Sequence, residues 1–172
     1  KHKIVTFETA SRKGEPFHEV IKKYGVPNKT YPHCNRELKL HPMQSYLQSI
    51  GIDHRTIPTA IGIRSDEVRR VAKNAEYMNL IYPLIDWIET DKQDVRDFWD
   101  AQEFKLGLNE WEGNCSMCFK KSLKKQFKQL DQDKSLIYFH MLMEKKYPQV
   151  GNKPGYPNRV FFRGNTPAHK LL

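Results

Sequence analysis

The chain contains three cysteines whose spacing suits metal or redox chemistry. Cys34 lies in the run YPHCNRELK, and Cys115 and Cys118 form a Cys-x-x-Cys pair in GNCSMCFKKS. Three thiolates can hold a soft metal ion or an iron–sulfur cluster and leave one coordination position open, as catalytic centres require. The same spacing occurs in redox dithiols, and buried cysteines often only fill a core. From the spacing alone, all three interpretations stand.

The residues around the cysteines favour the reactive thiolate form. Arg36 and Lys39 follow Cys34, and neighbouring cations lower the pKa of a thiol. We predict that Cys115 and Cys118 begin a helix, where unpaired backbone N–H groups also stabilise a thiolate. The lysines that follow could compensate a negatively charged cluster, contact nucleic-acid phosphates, or simply form a solvated face. They are Lys120, Lys121, Lys124, Lys125 and Lys128.

A second group of charged residues follows the apolar run TIPTAIGI. It contains Arg64, Asp66, Glu67 and Arg69 within RSDEVRR. The arginine guanidinium group presents paired donors that suit phosphate or sulfate, and the two acids could orient it or hold a cation. Alternatively, Ser65 is the N-cap of a helix with acids in its first turn. The local pattern allows both interpretations.

Composition limits the classes of protein and partner. The 172 residues suffice for one domain with a core, and a net charge of +9 favours anionic partners such as nucleotides and nucleic acid. The chain has no apolar run near the roughly 20 residues that cross a bilayer, and its start is not typical of a signal peptide. Three cysteines cannot all pair, so we expect a reducing, cytoplasmic setting and no membrane partner.

Apolar periodicity predicts alternating strands and helices. This order is typical of an α/β domain with a mostly parallel sheet, whose ligands bind beyond the carboxyl ends of the strands. The loop after Ile63 is therefore a predicted site. We predict strands at 3–8, 56–63 and 159–162, a short apolar run at 78–84, and helices at 15–24, 42–50, 115–130 and 136–147. The tail from Pro148 onward is otherwise expected to be irregular.

Two of the predicted helices carry further expectations. Thr90 and Gln93 form a possible capping box, which would open a helix with Phe98 and Trp99 facing the core. The helix that begins near Cys115 is expected to place its apolar residues on one side. These are Phe119, Leu123, Phe127 and Leu130.

Six runs together resemble a known family. In chain order they are ETASRKGEPF, IKKYGVPNKTYPHCNRELKLHP, AIGIRSDEVRR, IYPLIDWIETDKQDVRDFW, GNCSMCFKKS and FFRGNTP. They resemble the phosphoadenosine phosphosulfate (PAPS) reductase-like family, especially its phage and bacterial members, within the PP-loop ATP pyrophosphatase (adenine nucleotide alpha hydrolase-like) superfamily. The resemblance implies a Rossmann-like, HUP/PP-loop-type parallel sheet with flanking helices. Residues 1–112 would be the C-terminal part of that α/β domain, and residues 113–172 a helical Cys-x-x-Cys segment with an irregular tail.

Two family features are missing from this sequence. The superfamily's Ser-Gly-Gly-rich PP-loop, which holds the pyrophosphate of ATP, is absent, and we expect it upstream of Lys1. The chain alone is then expected neither to bind ATP tightly nor to cleave it, and to associate with itself or with a separate N-terminal segment. The C-terminal Glu-Cys-Gly motif of true sulfonucleotide reductases is also absent, which argues against reduction through a tail thiol.

The resemblance implies a nucleotide-dependent sulfur-transfer or adenylating enzyme that acts on tRNA, DNA or a small acceptor. Cys34, Cys115 and Cys118 would hold a [4Fe-4S] cluster or a zinc ion, and an adenine nucleotide such as ATP would be the second cofactor. The implied substrate- or phosphate-binding residues are Arg36, Lys39, Arg64, Asp66, Glu67 and Arg69. The sequence identifies no catalytic residue, acceptor or sulfur donor.

Two alternatives remain open at this stage. One is a non-catalytic nucleic-acid-binding or accessory module with a structural zinc, for which a residue such as His33 or His140 would be the fourth ligand. The other is a sulfonucleotide reductase that uses Cys115 and Cys118 as a dithiol.

Overall fold

The computed structural model describes residues 4–105, 107–113 and 115–172. Their contacts form two compact units: the residues up to Met43 together with Leu108–Leu172, and Gln44–Gly107. The domain boundary predicted after residue 112 stays a prediction. The helices and strands of the described residues are α1 Glu15–Tyr24, α2 His41–Ser49, β1 Thr59–Ala60, β2 Leu80–Ile81, α3 Pro83–Asp86, α4 Lys92–Asp100, α5 Leu123–Gln132 and α6 Tyr138–Lys146.

The predicted mixture of helices and parallel strands is present, in a sheet of two short strands among the described residues. β1 pairs in parallel with β2, with Thr59 opposite Leu80 and Ala60 opposite Ile81. The predicted segments 56–63 and 78–84 therefore contain the two strands, each only two residues long. The 3-10 helix Ser65–Arg70 lies in the crossover that a parallel pair requires.

Two predicted strands are wrong. Residues 4–6 have no regular secondary structure and residues 7–9 form a turn, where the Thr6 N–H donates to Thr9 Oγ1 at 2.8 Å. Lys3 lies outside the described residues. The segment 159–162 has only an isolated bridge between Phe162 and Thr166. A β-branched or aromatic pattern cannot form a strand without a neighbouring strand to satisfy its backbone groups.

Helix α1 has the predicted bounds, whereas two later helices begin elsewhere. The cysteine pair precedes α5, which starts at Leu123 with Ser122 as its N-cap. The capping box of α4 is formed by Asp91 and Asp94, one residue later than predicted. A carboxylate accepts these backbone N–H groups and also interacts favourably with the helix dipole, which explains the shift.

The core of the first unit is built from helices α1, α5 and α6 and from the irregular tail. Its buried residues are Ile21, Val26, Met117, Leu130, Ile137, Met143, Phe161, Phe162, Ala168 and Leu171. The tail is held by the Glu144 carboxylate, which accepts the N–H groups of Phe161 and Ala168 at 2.8 Å each. This contact brings aromatic tail residues to the helices without any sheet.

The second unit has little buried apolar surface. Ile63 and Tyr82 are its only buried hydrophobic residues among those described. Phe98 and Trp99, which we expected in a core, are 59% and 38% exposed. They contact each other edge to face instead. None of the helices in the described part of the chain is long and apolar enough to span a membrane.

Candidate functional site

A cavity of the first unit brings the three cysteines together. It has a volume of about 460 Å³, and Cys34, Cys115 and Cys118 all line it. Cys34 and Cys118 are half-buried, Cys115 is exposed, and all three thiols are free. The rest of the wall is mainly apolar and includes Phe17, Leu38, Met117, Phe119, Phe139 and Phe161.

Two buried glutamines of α5 position the Cys115–Cys118 turn. The N–H of Met117, which has a left-handed φ of 50°, donates to Gln129 Oε1 at 3.1 Å. Gln126 Nε2 donates to the Cys118 carbonyl oxygen at 3.0 Å. The predicted apolar face of α5 is therefore only partly correct. Leu123 and Phe127 are exposed, while both glutamines are buried because they satisfy the turn's backbone groups.

The environment of Cys34 differs from the sequence-based expectation. Burial raises the pKa of the Cys34 thiol; the nearby thiols of Cys118 and Cys115 raise it further, and Lys120 opposes them. The prediction that neighbouring cations favour the Cys34 thiolate is therefore wrong for the metal-free chain. A thiol of this kind must release its proton when it binds a metal.

The cysteines do not converge as the ligands of a single ion would. In the part of the chain that the structure describes, no three His, Cys, Asp or Glu side chains are close enough to hold one metal ion. A zinc ion requires each of its sulfur ligands to lie about 2.3 Å from the ion. A cluster contributes its own iron and sulfide atoms, so its cysteine ligands lie further apart.

Of the two histidines considered as a fourth ligand, His140 lines the cysteine cavity and His33 does not. The His140 Nδ1 lies 3.3 Å from the Leu136 carbonyl oxygen, which can only accept, so this nitrogen carries the proton. The ring is buried against Phe161, with ring centres 4.6 Å apart. Burial lowers the pKa of His140 to about 4, so the imidazole is neutral at pH 7.

Three of the five lysines hold a neighbouring loop. Lys121 Nζ donates to the Trp111 carbonyl oxygen and Lys125 Nζ to that of Glu110, both at 3.0 Å. The Lys128 ammonium lies 4.3 Å from the centre of the Trp111 ring. Lys120 and Lys124 have exposed side chains. The basic surface is therefore partly structural.

The Arg64 loop lies beyond the carboxyl end of β1, as predicted. The Arg64 Nε and Nη2 atoms donate to the two carboxylate oxygens of Asp66 at 2.8 and 3.1 Å. Glu67 accepts from Arg70 at 2.7 Å, and the Arg69 side chain is exposed. The N-cap of the 3-10 helix that follows is Arg64, which corrects the alternative that placed Ser65 there. The acidic residues therefore orient the arginines in this structure.

Arg36 and Lys39 do not line the cysteine cavity. Arg36 Nε donates to Glu37 at 2.8 Å, and Lys39 is exposed on the π-helical turn Arg36–Leu40, which leads into α2. Arg36 lines another cavity of the first unit. Of the predicted phosphate-binding residues, Arg36 and Lys39 thus belong to the first unit, and Arg64, Asp66, Glu67 and Arg69 belong to the second.

Comparison with known proteins finds two uncharacterized relatives. An uncharacterized nin region protein of Escherichia phage lambda is 37% identical over 112 residues, which are 64% of this chain and 37% of the relative. An uncharacterized protein of Methanocaldococcus jannaschii is 32% identical over 87 residues, 46% of this chain and 20% of the relative. No family profile and no solved structure matches the chain. The chain thus spans well under half the length of both relatives.

Proposed function

We propose that the protein is a PAPS reductase-like enzyme with a Rossmann-like PP-loop fold, which transfers sulfur or adenylates an acceptor. The observation that carries this proposal is the convergence of Cys34, Cys115 and Cys118 on one apolar cavity. Cys34 precedes Cys115 by 81 residues in the sequence, so only the fold brings it to the same cavity as the Cys115–Cys118 pair.

A cysteine-ligated cluster accounts for this arrangement better than inert core cysteines do. Cys115 is exposed and Cys118 is half-buried, whereas core cysteines are usually fully buried. Lys121 lies close enough to both thiols for their charge to affect its pKa, although burial lowers that pKa overall. Bound here, a [4Fe-4S] cluster would leave one iron open to a sulfur ligand. The chain's own residues would supply three thiolates, a mainly apolar wall and a nearby positive charge.

The nucleotide and the acceptor are assigned to other surfaces. Arg64, oriented by Asp66 at the carboxyl end of β1, is the proposed contact for a nucleotide phosphate. Lys120 and Lys124 are the lysines proposed to bind the backbone of a tRNA or DNA acceptor, because the three others already hold the loop around Trp111.

Anaerobic reconstitution with ferrous iron and sulfide tests the cluster. We expect a brown protein with about four iron and four sulfide per chain, as for [4Fe-4S]. Serine substitution of Cys34, Cys115 or Cys118 should each abolish the colour. Ser116→Ala is the matched control, because Ser116 lines the same cavity but cannot ligate iron as a thiolate does. Equal iron and sulfide in a variant lacking all three cysteines would refute the proposal.

A structural zinc is the second candidate, and the position of His140 favours it. The Nδ1–H of His140 binds the Leu136 carbonyl oxygen, which leaves Nε2 as the metal-binding nitrogen. The cysteine turn would have to move for four ligands to meet at one ion. Stoichiometric zinc that His140→Gln releases would identify this module, whereas a three-cysteine cluster should tolerate that change. A reductase that uses Cys115 and Cys118 as a dithiol would instead still reduce its sulfonucleotide substrate after Cys34→Ser.

A further inference from the structure

A second cavity of the first unit is basic and aromatic. It has a volume of about 450 Å³. Its main lining residues are Lys23, Tyr24, Tyr31, His33, Arg36 and Arg159. No Asp or Glu among the described residues lines it. The cavity shares no lining residue with the cysteine cavity.

Arg159 forms the inner wall as a buried cation whose polar partners are all neutral. It is 7% exposed, and its guanidinium group lies 3.7 Å from the centre of the Tyr31 ring. Nε donates to Asn152 Oδ1 at 2.7 Å, Nη1 to the Tyr24 carbonyl oxygen at 2.9 Å, and Nη2 to that of Gly151. Burial lowers the pKa of Arg159, because the charged form is poorly solvated there. A buried charge without a counter-ion is costly, and a bound anion would reduce that cost.

Two further cations, Lys23 and Arg36, line the cavity beside Tyr24. The Lys23 ammonium lies 4.8 Å and the Arg36 guanidinium 5.9 Å from the centre of the Tyr24 ring. Arg36 uses Nε to bind Glu37 at 2.8 Å. That one carboxylate also interacts with the Lys23 ammonium, whereas Arg159 donates only to neutral groups.

We propose that this cavity binds the phosphate monoester of a mononucleotide. Lys23 and Arg36 would donate directly to the phosphate oxygens, and Arg159 would contribute its charge from the inner wall. The volume falls within the range of small-molecule sites, roughly 300–1,000 Å³. Tyr31, which is 41% exposed, offers an aromatic edge or face to the base. This site uses neither the cysteines nor Arg64, and it does not depend on a metal. It shares only Arg36 with the phosphate-binding residues that the resemblance implies, so it goes beyond the proposed function.

Calorimetric titration of the chain tests the assignment with three probes: inorganic phosphate, 5′-AMP, and a short oligonucleotide without terminal phosphate. Lys23→Ala and Arg36→Ala should each weaken phosphate and AMP binding about tenfold or more, the loss typical of a hydrogen bond to a charged group. Lys22→Ala is the matched control. It removes the same charge from the neighbouring position of α1, where Lys22 pairs with Glu19 at 3.6 Å and does not line the cavity.

Each of the following results supports or overturns the proposed binding of a phosphate monoester. Tyr31→Leu should weaken AMP binding but not phosphate binding. That result would show that the adenine base contacts the Tyr31 ring. Circular dichroism of each variant checks that the helices persist, and Lys23→Gln, which keeps the stem of the side chain, replaces any variant that unfolds. Absence of saturable phosphate and AMP binding, or an equal loss in Lys22→Ala, would overturn the proposal. Tighter binding of the oligonucleotide than of AMP, with the same dependence on Lys23 and Arg36, would overturn the monoester in favour of a phosphodiester.

Discussion

The end of helix α1 provides a quantitative test of the first unit's packing. Gly25 follows the helix with φ 82° and ψ 176°, and its N–H donates to the Ile21 carbonyl oxygen at 2.7 Å. A Cβ atom at this position would lie 1.9 Å from the Val150 carbonyl oxygen and 3.0 Å from Arg159 Nη1. Gly25→Ala should therefore be strongly destabilising, because backbone must move.

Two costs add in Gly25→Ala. The backbone conformation is essentially restricted to glycine, and forcing it on alanine costs about 1–3 kcal/mol. Displacing the turn around Val150 also disturbs the Arg159 hydrogen bonds to Tyr24 and Gly151, and one hydrogen bond to a charged group contributes about 1.5–3 kcal/mol. We expect the free energy of unfolding to fall by about 3 kcal/mol or more, a large part of the roughly 5–15 kcal/mol of an ordinary domain.

Gly155→Ala separates the two costs. Gly155 also has a positive φ, 81°, but a Cβ atom there would meet nothing within 4 Å. This control carries only conformational strain, and we expect a loss of about 1 kcal/mol. Urea unfolding followed by circular dichroism measures both variants, with the slope of the transition checked for constancy. A loss in Gly25→Ala no larger than that in Gly155→Ala would show that the contact with Val150 does not constrain this turn.

Four further predictions concern charge and assembly. In the metal-free chain, folding lowers the pKa of His140 from 6.5 to about 4, so the unfolded state binds a proton that the folded state does not. The free energy of unfolding should therefore fall by up to about 3 kcal/mol as the pH is lowered from about 6.5 to about 4. His140→Phe should remove most of this pH dependence, and a wild-type stability that does not change with pH would contradict the prediction. Arg64→Ala should weaken nucleotide binding by about 1.5–3 kcal/mol, measured by calorimetry. Arg55→Ala, which removes another arginine–aspartate pair of the second unit, should not weaken it, and equal effects would reduce Arg64 to a surface residue. Replacing Lys120 and Lys124 by alanine should lower the slope of log affinity for tRNA or DNA against log salt concentration by about 1.4–1.8, and an unchanged slope would point to a small acceptor. The many exposed apolar side chains predict association, so sedimentation should give a mass above the 20.3 kDa of one chain, and a monomer at all concentrations would contradict this.

Elements governed by neighbouring residues were predictable from the sequence. Helix α1 runs from Glu15 to Tyr24 and stops at Gly25, as the spacing of its apolar residues and the glycine indicated. The strand predicted at 56–63 was also predictable, because this segment contains β1. These features depend on backbone preferences and periodicity within a short stretch of chain.

Elements that depend on a distant partner were not predictable. Residues 4–8 have the composition of a strand but form only irregular backbone and the start of a turn, since no described strand lies beside them. Helix α5 begins at Leu123 rather than near Cys115. Its buried Gln126 and Gln129 hydrogen-bond the cysteine turn, and the apolar periodicity did not reveal these contacts. Arg159 lies in a tail that reads as irregular, yet it is among the most buried charged residues of the chain.

The candidate site also has some features that the sequence predicted and others that only the fold determined. The sequence by itself identified the cysteines, the arginines and the lysines as chemically capable, because residue type is sufficient for that. Only the tertiary structure decided that His140 rather than His33 shares the cysteine cavity, and that the pKa of Cys34 is raised rather than lowered. The physical reason is burial: solvent exposure and the identity of spatial neighbours determine these properties, and both arise from contacts between segments far apart in the chain.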